Sequence, residues 1–143
     1  MKREPEWLDA ADVRVFQAFL IAEFGGAEGV RDEGLLESAV ARARHRFTYE
    51  DVDLFDLAAT YAHGIAKNHP FVDGNKRSAF ATARVLLGLN GAVLAAPEEE
   101  VVVMTQGLAA GEVGMDVFAS WLRKHSRSRR PARAAKKPRR KTS

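Results

Sequence analysis

Apolar side chains recur at helical spacing through most of residues 8–124. Val13, Phe16, Leu20 and Phe24 stand three or four positions apart, one stripe of a helix, and Asp9 ahead of them can serve as its N-cap. Gly25-Gly26 stops that helix, and a glycine-rich link runs on to Gly29. Asp32 can cap a second helix carrying Leu35, Leu36, Ala39 and Val40. From Arg42 to Asp53 the helical period is lost and the run includes Phe47, Thr48 and Tyr49, which predicts a loop or short hairpin.

A third helix follows, with Leu54, Leu57, Ala58, Tyr61 and Ile65 on one face. It should end near Asn68, because Pro70 disfavours helical backbone at the residue before it. A fourth helix from about Gly74 to Leu89 is apolar almost all round (Ala79, Phe80, Ala83, Val85, Leu86, Leu87), the mark of a buried central element. Asn90-Gly91 ends it. Pro97 followed by Glu98, Glu99 and Glu100 makes a dipole-matched start for a fifth helix with Val101, Met104, Thr105 and Leu108. Gly111 and Gly114 bracket a turn before a last helix with Met115, Phe118, Ala119 and Leu122. The expectation is an all-α, compact single-domain bundle of about six helices over residues 1–124, with a flap hairpin or loop before the third helix.

The charge balance divides the chain in two. Residues 1–122 hold all 19 acids and half of the 22 Lys and Arg, a net charge of −8, whereas residues 123–143 hold 11 cations and no acid. The overall +3 therefore describes neither part. Residues 125–143 read as a basic tail that cannot bury enough surface to order itself. Block charge of this kind suits nucleic acid or ribosome contact, and equally a solvated extension. The chain has no cysteine, which excludes disulfides, thiol nucleophiles and zinc thiolate sites. The longest uncharged stretch, Val85 to Pro97, has 13 residues, short of the roughly 20 of a membrane span. No signal-type apolar segment follows Met1-Lys2-Arg3, and a soluble cytoplasmic protein is expected.

Chemistry is concentrated in His69-Pro70-Phe71-Val72-Asp73-Gly74-Asn75-Lys76-Arg77. Lys76 and Arg77 fall in a first helical turn, where the macrodipole disfavours cations by roughly 0.3–1 kcal/mol each. An anion offsets that penalty, and the unpartnered amides of a helix start are a ready phosphate site. An imidazole can accept a proton at cellular pH, so His69 can act as a general base, or be a helix-end histidine. Asp73 suits Mg²⁺, or caps the fourth helix. Gly74 permits close approach to a ligand, and Asn75 can orient the loop or touch phosphate. Lys76 and Arg77 are candidate phosphate clamps, with extension into solvent the plain alternative. Phe71 reads as an apolar anchor. His45, His63 and His125 have no such surroundings and read as structural or solvated.

With these residues in place the chain resembles the Fic/Doc (Fido) family, on its Doc, or death-on-curing, toxin branch. The family's central loop reads His-x-Phe-x-Asp/Glu-Gly-Asn-Gly/Lys-Arg, and His69, Phe71, Asp73, Gly74, Asn75, Lys76 and Arg77 match it. Gly25-Gly26, Gly29 to Asp32 and Gly34 to Ala39 resemble the N-terminal pattern of the same branch. The likeness spans about residues 7–124. Lys76 stands where AMP-transferring Fic enzymes usually carry glycine, and Phe80 where they usually carry a second arginine. Gln17 stands where many Doc-type sequences place a histidine.

The resemblance implies the Fic/Doc fold and a toxin of a toxin–antitoxin system. Its activity would be transfer of the γ-phosphoryl group of ATP, with Mg²⁺, to a protein hydroxyl, the target on this branch being elongation factor Tu. In that reading His69 is catalytic, Asp73 holds the metal, and Gly74, Asn75, Lys76 and Arg77 hold the nucleotide. It further implies a separate Phd-like antitoxin, because no Ser/Thr-x-x-x-Glu-Gly/Asn inhibitory motif stands within the chain. Residues 42–53 would correspond to the family's flap, with Arg44, Arg46 and Tyr49 near substrate. Two other functions compete: nucleotidyl (AMP) transfer as in Fic relatives, and a catalytically idle domain carried to nucleic acid or ribosome by its basic tail.

Overall fold

The computed structural model describes residues 3–129, which form six helices and one small sheet. Helix α1 (Ala10–Phe24) begins with a reciprocal capping box: the Asp12 amide donates to the Asp9 carboxylate, and the Asp9 amide to that of Asp12. Helix α2 (Glu33–Tyr49) is capped by Asp32, whose Oδ1 accepts from the Leu35 amide at 3.0 Å. Helix α3 (Leu54–Asn68) has a second capping box, Asp53 with Asp56. Helices α4 (Asn75–Leu89), α5 (Glu98–Ala110) and α6 (Met115–Lys124) complete the bundle. The architecture is all-α, as the periodicity predicts.

Helix α3 lies at the centre and packs on α2, α4, α5 and α6. Its buried run from Leu57 to Ala62, with Gly64, Ile65 and Ala66, leaves little more than His63 and its two ends in contact with water. Small residues set the approach of its neighbours. A methyl group added at Gly64 would lie 2.7 Å from the Cβ of Ala39, so α2 and α3 meet with no room for one. Tyr61, fully buried, donates to the Leu8 carbonyl at 2.9 Å and accepts from the Leu8 amide at 3.2 Å, tying the residues before α1 to the core. Burial pushes the Tyr61 hydroxyl above its ordinary pKa, so it keeps its proton.

Two sequence-based expectations change. The stretch 42–53 is helical as far as Tyr49, and the link before α3 is only residues 50–53. Ala43 is fully buried, and Phe47 packs edge-on against Trp7 at 5.6 Å, so burial outweighs the loss of simple periodicity. The side chains assigned to a flap are engaged in this helix. Arg46 bonds Thr60 at 2.8 Å and pairs with Glu50, and Arg44 lies over Trp7. The second change is at the C-terminal end. Strand β1 (Ala92–Leu94) pairs antiparallel with β2 (Ser126–Ser128), in register Ala92 with Ser128 and Leu94 with Ser126. The basic tail expected from residue 125 thus has its first five residues, 125–129, laid on the domain; residues 130–143 fall outside the described residues. Among the described residues no helix is long and apolar enough to cross a membrane.

Candidate active site

The loop from His69 to Gly74 joins the two most buried helices and is held by main-chain bonds to residues 29–32. Val72 donates to the Gly29 carbonyl at 3.0 Å, and the Arg31 and Asp32 amides both donate to the Pro70 carbonyl, at 2.7 and 3.0 Å. Val30 and Phe71 form an isolated antiparallel bridge. Phe71 is fully buried, the anchor its position predicts. Asn75 closes the loop from the other side: its Oδ1 accepts from the Phe71 amide at 2.9 Å and its Nδ2 donates to the Phe71 carbonyl at 3.0 Å. Of the two uses open to Asn75, the side chain takes the one that orients the loop.

His69 is the C-cap of α3 and the one non-glycine described residue in the left-handed region, at φ 52 and ψ 59. That conformation ends the helix and leaves the imidazole exposed. Arg31 supports it by donating to the carbonyls of His69, at 2.8 Å, and Asn68, at 2.9 Å.

Asp73 does not cap α4; Gly74 is the N-cap, at φ 70, and no side chain bonds the helix start. The Asp73 carboxylate instead accepts from the Gly74 amide through Oδ1 at 3.0 Å and from the Ala27 amide through Oδ2 at 3.3 Å. Only glycine fits at position 26, where φ is 114 and a Cβ would fall 2.7 Å from Asp73 Oδ2. The main-chain oxygen of Asp73 accepts from Gln17 Nε2 at 3.0 Å. Lys76 is exposed at the uncapped first turn of α4. Arg77, also exposed, lays its guanidinium over the Phe24 ring, 4.3 Å from the centroid.

A phosphorylated ligand fits these groups. The start of α4 offers amides with no side-chain partner beside two cations. A carboxylate has about four acceptor positions, and amides occupy two at Asp73, so it can still contribute to Mg²⁺. Among the described residues no three His, Asp or Glu gather into a metal cluster.

A sequence profile of the Fic/DOC family matches residues 7–87, from the segment before α1 to near the end of α4. The chain belongs to the Fic/DOC family. It is 37% identical over 105 residues to the protein kinase doc of Escherichia phage P1, covering 73% of this chain and 82% of that one. It is 48% identical over 95 residues to the toxin Doc of Mycolicibacterium smegmatis, covering 64% and 69%. The Fic/DOC profile thus takes in every loop residue described above and stops short of β1, α5, α6 and β2.

Three contributors to this Fic/DOC site have roles that a reading of the sequence does not give. Gln17 is a polar residue within the apolar stripe of α1, named from the sequence only for standing where a histidine is common. Arg31 acts through its guanidinium and Ala27 through its amide, each on a partner about forty residues or more distant in sequence. The other histidines lie apart from the loop: His45 stacks on Tyr49, and His125 pairs with Glu100 at 3.2 Å.

Proposed function

We propose that this protein is a Doc-type toxin that transfers the γ-phosphoryl group of ATP to a hydroxyl group of a protein, elongation factor Tu being the expected target. The observation that carries the reading is the uncapped, cation-bearing start of α4 directly after the His69–Asp73 loop. The relatives named a kinase and a toxin support it. His69 accepts the proton of the target hydroxyl as its oxygen attacks the γ-phosphorus, and the bond from that phosphorus to the ADP oxygen breaks. Lys76, Arg77 and the first amides of α4 hold the phosphate oxygens and offset charge that builds on them. Arg77 reaches them by leaving the face of Phe24. Asp73 would hold Mg²⁺, which neutralises phosphate charge when bound. Gly74 lets the main chain approach, and Asn75 serves by fixing the loop.

Phosphoryl transfer is favoured over AMP transfer by Phe80. Where AMP-transferring relatives carry a second arginine, Phe80 is half-buried and packs against Trp121, with centroids 6.3 Å apart. A separate antitoxin, Phd-like, and a cytoplasmic site of action belong to the same proposal. Incubation of wild type and His69→Ala with elongation factor Tu and ATP labelled at either the γ or the α position tests it. Label is expected on the target from the γ position alone, and with wild type alone. Label from the α position would replace the kinase reading with nucleotidyl transfer, and growth arrest that survives His69→Ala would leave the domain idle.

A further inference from the structure

Gln17 is 1% exposed and lies on the face of α1 that packs on α4, between apolar Val13 and Leu20. Both ends of its amide are engaged. Nε2 donates to the main-chain oxygens of Asp73 at 3.0 Å and Ala27 at 3.2 Å, and Oε1 accepts from the Gly29 amide at 3.3 Å. One side chain thus joins three separate pieces: α1, the glycine-rich link and the loop that precedes α4.

The link in turn holds one of the two Asp73 carboxylate oxygens, the other taking the Gly74 amide. Ala27 receives Gln17 at its carbonyl and gives its amide to Asp73 Oδ2 at 3.3 Å. Gly26, immediately before it, allows the close approach of that oxygen. Gln17 therefore grips Asp73 twice, directly at the main chain and through Ala27 at the carboxylate. Other side chains do this less well. Glutamate would set lone pairs against two carbonyls, methionine would leave all three main-chain groups unpartnered, and histidine can serve at most two of them.

We propose that Gln17 is a positioning residue for the metal-holding turn, fixing through Ala27 and the Asp73 main chain the direction in which the Asp73 carboxylate faces a nucleotide-bound divalent cation. The role rests on the assignment of Asp73 to the cation. Gln17 does not touch the nucleotide or the target.

The test is Mn²⁺ titration of the full chain, read by electron paramagnetic resonance in the presence of a non-hydrolysable ATP analogue. Gln17→Met is expected to raise the Mn²⁺ dissociation constant about tenfold or more, the usual effect of removing an outer support of a metal ligand. Analogue binding without metal should stay as in wild type, a separation that general loosening of the fold would not give. Gln17→His, which keeps an N–H, should fall between the two. A wild-type Mn²⁺ constant in a folded Gln17→Met overturns the proposal; if that variant does not fold, a wild-type constant in Gln17→His does so. Asp73→Asn separates the two layers of argument. If it leaves Mn²⁺ binding unchanged, the assignment of Asp73 fails, and the role of Gln17 fails with it. If it weakens binding and neither Gln17 variant does, only the positioning role is lost.

Discussion

The Arg31 guanidinium donates to the main-chain oxygen of His69 at 2.8 Å, and its second bond goes to the oxygen of Asn68. These are the last carbonyls of α3, where a helix end is partly negative and a cation is favourable. The pair holds His69 in a conformation that residues with a Cβ seldom adopt. Arg31→Met keeps the apolar stem and removes both bonds. Urea unfolding is expected to show a loss of about 1–2 kcal/mol, because the bonds are charge-assisted but exposed. Target labelling should fall by a larger factor than the folded fraction does. Labelling at the wild-type rate would mean that His69 needs no such hold.

His69 itself sets activity against stability. His69→Ala and His69→Gly should both reduce target labelling about 10²–10⁴-fold, the usual worth of a positioned general base. The glycine variant should nevertheless be the more stable of the two by about 1 kcal/mol, since only glycine occupies the left-handed region without strain. Paired thermal melts check this. Equal melting temperatures would show that the backbone relaxes once the imidazole is gone.

Asn75 gives a change of one atom. In Asn75→Asp the oxygen can still accept from the Phe71 amide, but a second oxygen faces the Phe71 carbonyl where an N–H stood. Destabilisation of about 1–3 kcal/mol is expected, with loss of nucleotide binding measured by calorimetry. Asn75→Asp with unaltered binding would return Asn75 to the status of a local turn residue.

The helices were legible because their start signals are local: Asp9 and Asp32 each precede an apolar period and each caps in the structure, and Asp53, at the end of the expected loop, caps α3 as well. The loop was legible as a row of chemistry-bearing residues beside a helix start. What could not be read depends on partners distant in sequence. Phe24, expected in the buried stripe of α1, is 57% exposed and lies under Arg77. Gln17 could be named only as standing where many Doc-type sequences place a histidine; its partner Asp73 lies 56 residues later. The second half of α2 is decided by packing of Ala43 and Phe47, and β2 by a strand more than thirty residues upstream. A short polar segment such as Ser126–Ser128 carries no pattern that announces pairing.

Gly64 measures the closeness of α2 and α3. Gly64→Ala inserts a methyl group into Ala39, 2.7 Å away between Cβ atoms. Overpacking of this order costs about 1–3 kcal/mol, readable as a lower urea midpoint. The double variant Gly64→Ala, Ala39→Gly should recover part of it. No recovery would place the strain elsewhere.

His63 predicts a pH dependence. Burial, then the positive charges of Arg42 and Lys67, pull its pKa below the ordinary value, and its Nδ1 is buried with no partner among the described residues. The folded protein therefore binds fewer protons at this site than the unfolded chain. The contribution of neutral His63 is complete above the unfolded value of about 6.5 and is lost as pH falls toward the lowered folded value. Urea midpoints at pH 7.5 and 5 should draw apart in wild type and less so in His63→Gln. Parallel shifts in both proteins would assign the acid sensitivity to other groups.

Asn90 exchanges bonds with the main chain of Glu6, at 2.7 and 3.0 Å, while Arg129 donates to the carbonyl of Gly91 at 2.8 Å. The first and last described stretches thus meet at the far end of α4, about 22 Å of helix from Asn75. Such neighbouring ends make the domain a candidate for circular permutation, with new termini opened in the turn at residues 111–114. They also mean that an affinity handle or fluorophore joined next to Glu6 or Arg129 starts a whole helix length away from the imidazole.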